Sequence, residues 1–190
     1  MTESFTHPLT ATGRRRFTGA EVQRMVEAGI LQDSEHVELL NGDLVVTPPQ
    51  GPIHASLVER LADALREIYR SGYRVRTAMP IVASDGSQPE PDVALIRGSW
   101  ELRHPRCDEA ALLVEVAYSS HKIDHDKRAD YAEGGAPIYW ILDVPARQLE
   151  VYTDPVPSER RYRTCQVFSA ADEVGLPGME VRWRVASLLP

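Results

Sequence analysis

The sequence predicts an α/β (α+β) fold in which a mixed β-sheet is flanked by helices, and three observations lead there. Apolar residues recur at helical spacing after residue 18 and again over 54–69. Short apolar runs of strand type follow at 73–82, 91–97, 111–118, 138–143 and 148–153, with a helical stretch at about 123–133 between two of them. Asn41-Gly42 also divides VELLNGDLVV (37–46) into two apolar arms, the strongest short-range signal for a tight hairpin.

Residues 1–16 lack hydrophobic periodicity and are expected to form a flexible N-terminal arm, leaving 17–190 as a single domain. Thr18 can cap the first helix, with Glu21 three residues on completing a capping box and Gly29 at its end. Val22, Met25, Val26 and Ile30 mark its apolar stripe. After the hairpin, TPPQGP (47–52) breaks the chain. The helix over His54–Tyr69 carries Leu57, Leu61, Ala64, Leu65 and Ile68 on one stripe. Further strands are expected near 161–168 and 179–184, and the sequence has no internal repeat.

At 43% hydrophobic and 26% charged residues, the composition is that of an ordinary globular protein. No apolar run approaches the ~18 residues of a membrane span, and none follows Arg14–Arg16, so a cytoplasmic location is expected. Cys107 and Cys165 form no CxxC spacing, which excludes a zinc knuckle or redox motif and predicts free thiols. A net charge of −7 argues against a protein that coats nucleic acid non-specifically, but leaves room for a local basic groove. Arg70, Arg74 and Arg76 form one cluster, and Arg160, Arg161 and Arg163 another; each reads first as a solvated face.

The chemistry-bearing candidates are acids placed where acids are costly. Glu115 lies inside ALLVEVAY (111–118); strand alternation puts it with Leu113 and Ala117, opposite Leu112, Val114 and Val116. Its plain alternative is an edge position or an arginine partner. Asp92 opens DVALI after Pro91, whose fixed backbone aims it; Glu90 shares its parity as an auxiliary acid. Glu38 sits in the first arm of the hairpin between Val37 and Leu39. Each acid alone reads as a turn or solvent residue. Together they suit a hard divalent cation, Mg²⁺ or Mn²⁺, which takes oxygen ligands, offsets phosphate charge and acidifies bound water.

An upstream Glu, a Pro-Asp opening one strand and a Glu inside the next resemble the PD-(D/E)XK nuclease superfamily. More narrowly, the chain resembles the Uma-type restriction endonucleases. The matching segments are VELLNGDLV (37–45), His54 opening a helix, PEPDVAL (89–95), LLVEVAYSS (112–120), DKRADYAEGGAPIYWILD (126–143) and LPGMEV (176–181). The resemblance implies a restriction-endonuclease-like sheet, a metal held by Glu38, Asp92 and Glu115, a DNA substrate and a homodimer. The superfamily lysine falls two residues after the second acid, where this chain has Ala117. In the narrower family the following helix supplies it, which makes Lys127 the catalytic match and Lys122 the fallback. Ile123, Lys127 and Tyr131 fall on nearly one helical face, so the long stem of Lys127 can reach toward Glu115. His54 stands beside the metal or a phosphate, or simply hydrogen-bonds at its helix start; Tyr131 reads first as core packing.

Other readings stay open. A catalytically inactive relative could serve as a nucleic-acid- or partner-binding module, with Ala117 and the acidic charge in its favour. A phosphohydrolase acting on RNA or a small nucleotide is another. His121 and His125 with Asp124 and Asp126 could chelate zinc, although no third ligand stands at motif spacing. No GxxxxGK[ST], GxGxxG or GxSxG occurs, which removes the P-loop, Rossmann and α/β-hydrolase classes.

Overall fold

A computed structural model describes residues 13–32, 35–47, 49–99, 101–118 and 121–190, with the side chains of 121–123 left out. The expected arm therefore falls, over residues 1–12, outside the described residues. Helix α1 spans Gly19–Glu27, the hairpin strands β1 Val37–Leu40 and β2 Asp43–Val46, and helix α2 Pro52–Ile68. Strands β3 Tyr73–Thr77, β4 Val93–Arg97 and β5 Ala110–Ala117 follow, then helix α3 His121–Glu133. Strands β6 Ile138–Asp143, β7 Gln148–Val156, β8 Arg161–Ser169, β9 Glu173–Gly175 and β10 Arg182–Arg184 complete the order.

Six strands form one mixed sheet in the order β3-β4-β5-β6-β7-β8. Only β5 and β6 pair in parallel, because α3 carries the chain back between them; the other pairs are antiparallel. One face packs on α2 and on the C-terminal segment, with Leu57, Leu61 and Leu65 meeting Leu112, Val114 and Trp140. The other face packs under α3, where Tyr131 and Ala132 meet Leu113, Tyr139 and Ile141. The alternation expected along β5 is observed: Leu112, Val114 and Val116 face α2, and Leu113 and Ala117 face α3.

The hairpin turns at Asn41 (φ 52°) and Gly42 (φ 80°), the left-handed pair that a two-residue turn between twisted strands requires. The capping box of α1 is present, with Glu21 N donating to Thr18 Oγ1 and Thr18 N donating to the Glu21 carboxylate. Its apolar stripe is only partly covered: Val22 and Met25 are half-buried, whereas Val26 is 39% exposed and Ile30, past the helix end, 66%. The strand expected over 73–82 stops at Thr77, because Ala78 turns left-handed (φ 45°) and Pro80 has no N–H to give a ladder. The last predicted strand begins at Arg182 rather than 179, since Pro177 and Gly178 (φ 68°) form a turn before it; β9 pairs with it and was not anticipated.

Candidate active site

The hairpin is anchored beside the segment that leads into β4. Gln88 N donates to Leu39 O at 2.7 Å, Gly42 N to Gly86 O at 2.7 Å, and Asn41 N to Ser87 Oγ at 2.8 Å. This register sets Glu38 against the backbone of 88–90, where its Oε2 accepts from Glu90 N at 2.9 Å. Asp92, one residue before β4, is held from three sides. Its Oδ2 accepts from Val116 N at 2.7 Å and lies 3.0 Å from His54 Nε2, while Gln50 Nε2 donates to Oδ1 at 3.0 Å. Antiparallel pairing of Val93 with Val114 brings this acid next to Glu115 on the α3 face.

Glu115 is met from α3. Tyr131 donates its hydroxyl to Glu115 Oε1 at 2.7 Å, and Lys127 Nζ donates to the same oxygen at 3.2 Å. Lys127 also reaches Glu38 Oε2 at 2.9 Å and the carbonyl of Glu90 at 3.2 Å. One ammonium thus joins acids from β1 and β5. Glu38, Asp92, Glu115, Lys127 and His54 are all buried.

Burial raises the Glu115 carboxyl well above the usual carboxylate range; Lys127 opposes that shift, and Asp92, Asp124 and Glu38 add to it. Glu90 is pushed up to about 7 by burial and then by Glu38. Burial disfavours the charged form of Lys127, yet Glu115 and Glu38 outweigh it and hold the group above its ordinary value, so the proton stays on Nζ. Burial likewise works against a charged His54, but its bond and attraction to Asp92 leave it raised. Tyr131 is raised by burial and by Glu115, so its hydroxyl remains a donor. The acids outnumber the cations around them, and their donor set of carboxylate oxygens matches what a hard divalent cation takes. Among the described residues, no three His, Cys, Asp or Glu side chains are already gathered closely enough to hold a metal ion.

The predicted residues Glu38, Glu90, Asp92, Glu115, Lys127, His54 and Tyr131 therefore meet in one cluster. The side chain of Lys122 lies outside the described residues, as does that of His121. His125 lies 3.5 Å from Glu150 rather than in a metal-binding group. Ala117, on the face of Glu115, is fully buried, and the ammonium of that face comes from α3. Sequence reasoning missed Gln50, which the breaker TPPQGP concealed; a polar residue two positions before a helix start was its only signal. The shield against which Asp92 rests, the backbone N–H of Val116, has no signal in residue type at all.

A family model described as Uma2, putative restriction endonuclease, matches residues 20–187. The solved structure of a putative nuclease belonging to DUF820, from Anabaena variabilis ATCC 29413, is similar to this chain with a TM-score of 0.69 and 16% identity. The match covers 85% of this chain and 94% of that one, and at this identity it speaks for the fold. No curated protein matches the chain significantly.

Proposed function

Since the chain belongs to the Uma2 family of putative restriction endonucleases, we propose that it is a divalent-metal-dependent endonuclease that hydrolyses phosphodiester bonds in DNA. Residues 17–190 would act as one nuclease domain, working as a homodimer. One observation carries this reading: Glu38 and Glu115, distant in sequence, share the single ammonium of Lys127, with Asp92 pinned alongside.

Glu38, Asp92 and Glu115 would hold Mg²⁺ or Mn²⁺. When bound, such an ion offsets charge on the phosphate and lowers the pKa of a water molecule. The remaining work belongs to the chain. Val116 N, Gln50 and His54 fix the orientation of Asp92 before any ligand arrives, which removes a reorganisation step. Tyr131 orients Glu115 in the same way. Lys127, in reach of Glu38 and Glu115, would orient the attacking water or face developing negative charge on the phosphate.

Incubating supercoiled plasmid with the protein in Mg²⁺, Mn²⁺ or EDTA tests the reading. Nicking or linearisation in metal, absent in EDTA and absent in Asp92→Asn, is the expected result. A second reading draws on the same ammonium: with both acids already paired to Lys127, the cluster is partly neutralised without a metal, as in a binding module. Calorimetry separates the two, since absence of any Mg²⁺ or Mn²⁺ binding would favour the module.

A further inference from the structure

The edge of the sheet holds a concavity of about 550 Å³, outside the acid cluster. It is lined by Arg74 and Arg76 from β3, by Arg103 and His104, and by Gln23 from α1, with Glu101 at its side. Three guanidiniums and one carboxylate thus line it, in a chain whose net charge is −7. Arg103 is itself paired twice, with Glu101 at 2.7 Å and with Glu109, outside the lining, at 2.6 Å.

The strand pattern builds this cavity. Val75 packs with the α2-side core, so alternation turns Arg74 and Arg76 to the opposite face, and Arg76 pairs in register with Ala94 on the side of Asp92. Both arginines are buried, at 7% and 8% exposure. Arg74 has a polar interaction of its own. Arg76 donates to the carbonyl of Pro80 at 3.3 Å, and among the described residues no carboxylate pairs with it. Burial, and then the charge of Arg74, push its guanidinium below its ordinary value. Burial, and then the charge of Arg76, do the same to His104, which favours the neutral imidazole, still able to donate one N–H. A buried guanidinium such as that of Arg76, with no carboxylate paired to it among the described residues, is unfavourable unless an anion completes it. A guanidinium fork matches phosphate oxygens in both geometry and charge.

The cavity also adjoins the acid cluster. Ala78, the turn residue that follows β3 two positions beyond Arg76, donates its N–H to Asp92 O at 3.2 Å. We propose that this cavity binds a phosphate group of a nucleotide chain, with Arg76 as its principal donor and Arg103 adding positive charge at its rim, gripping the strand beside the bond that the acid cluster addresses. The identity of the strand rests on the nuclease reading; the anion chemistry does not.

The test is run in EDTA at low salt, where no metal bridges DNA to the acids. Fluorescence anisotropy follows a labelled 12-base-pair duplex on wild type, Arg76→Gln and Arg103→Gln, each checked by thermal melting. The expected result is at least a tenfold loss of affinity for Arg76→Gln, a smaller loss for Arg103→Gln, and a log–log salt slope reduced by about one for each. Thymidine 5′-monophosphate should compete and thymidine should not. Unchanged affinity in both variants, or equal competition by thymidine, overturns the proposal. Monophosphate binding without duplex binding overturns the nucleotide-chain assignment in favour of a free nucleotide. If Arg76→Gln does not fold, Arg103→Gln together with calorimetry of inorganic phosphate on wild type decides, and no saturable heat counts against the site. Binding that depends on Arg76 in a protein that cuts nothing would refute the nuclease and keep the cavity. Cleavage with binding unchanged in the variants would do the reverse.

Discussion

The backbone N–H of Val116 donates to Asp92 Oδ2 over 2.7 Å, so the acid that precedes β4 is held by the residue that immediately follows the acid in β5. The two candidate metal ligands are therefore coupled through one main-chain bond. Asp92→Asn keeps an acceptor for that N–H and should fold with a melting temperature near wild type while losing at least a hundredfold in metal-dependent cleavage. Asp92→Ala leaves a buried donor without a partner and should cost about 1–3 kcal/mol of stability as well. Denaturant melts alongside plasmid cleavage check both; an Asn variant that cuts like wild type would remove Asp92 from the chemistry.

Glu115 is an acid whose charged form the metal-free protein disfavours, since burial outweighs the attraction of Lys127. Glu115→Gln retains an acceptor for Tyr131 and removes that burden. Its melting temperature in EDTA should equal or exceed that of wild type, whereas the stabilisation wild type gains on adding Mn²⁺ should vanish. A Gln variant still stabilised by Mn²⁺ would place the ion elsewhere.

Lys127 is the ammonium that Glu38 and Glu115 share. Lys127→Ala leaves the buried Glu38 carboxylate without its ammonium partner and should destabilise the metal-free protein by about 3–5 kcal/mol. Mn²⁺ should then raise its melting temperature by more than it raises that of wild type, because the ion supplies the missing positive charge. Equal shifts in the two proteins would show that metal and lysine do not serve the same acids.

Tyr131 donates to the oxygen of Glu115 that Lys127 also contacts. Tyr131→Phe removes one hydroxyl from a fully buried ring and should cost about 1–2 kcal/mol, with a fall in cleavage rate of roughly tenfold, equivalent to about 1.4 kcal/mol of barrier. Single-turnover rates at saturating Mn²⁺ isolate that effect from metal affinity. A rate equal to wild type would leave Tyr131 a packing residue.

Much of the architecture was legible residue by residue. The Asn41-Gly42 turn, the Thr18–Glu21 cap and the alternation along β5 depend on the backbone preferences of a few neighbours, which travel with the sequence. The end of β3 at Thr77 was less so: Pro80 marks a break, but the left-handed turn at Ala78 that stops the strand earlier has no signal in residue type. The stripe of α1 was read correctly as apolar, but where it packs is a matter of neighbours, and Ile30 faces solvent.

The candidate site divides along the same line. Glu38, Asp92 and Glu115 are singled out by their conjunction and by the order of motifs that resembles the nuclease family, since each acid alone reads as a turn, edge or solvent residue. Which atoms meet was settled by packing: the hairpin lying beside residues 88–90, α3 crossing the sheet so that Lys127 spans two acids, and Gln50 turning back onto Asp92. Local preference is carried by adjacent residues, whereas a contact between strands and helices far apart in the chain exists only once the core has closed between them.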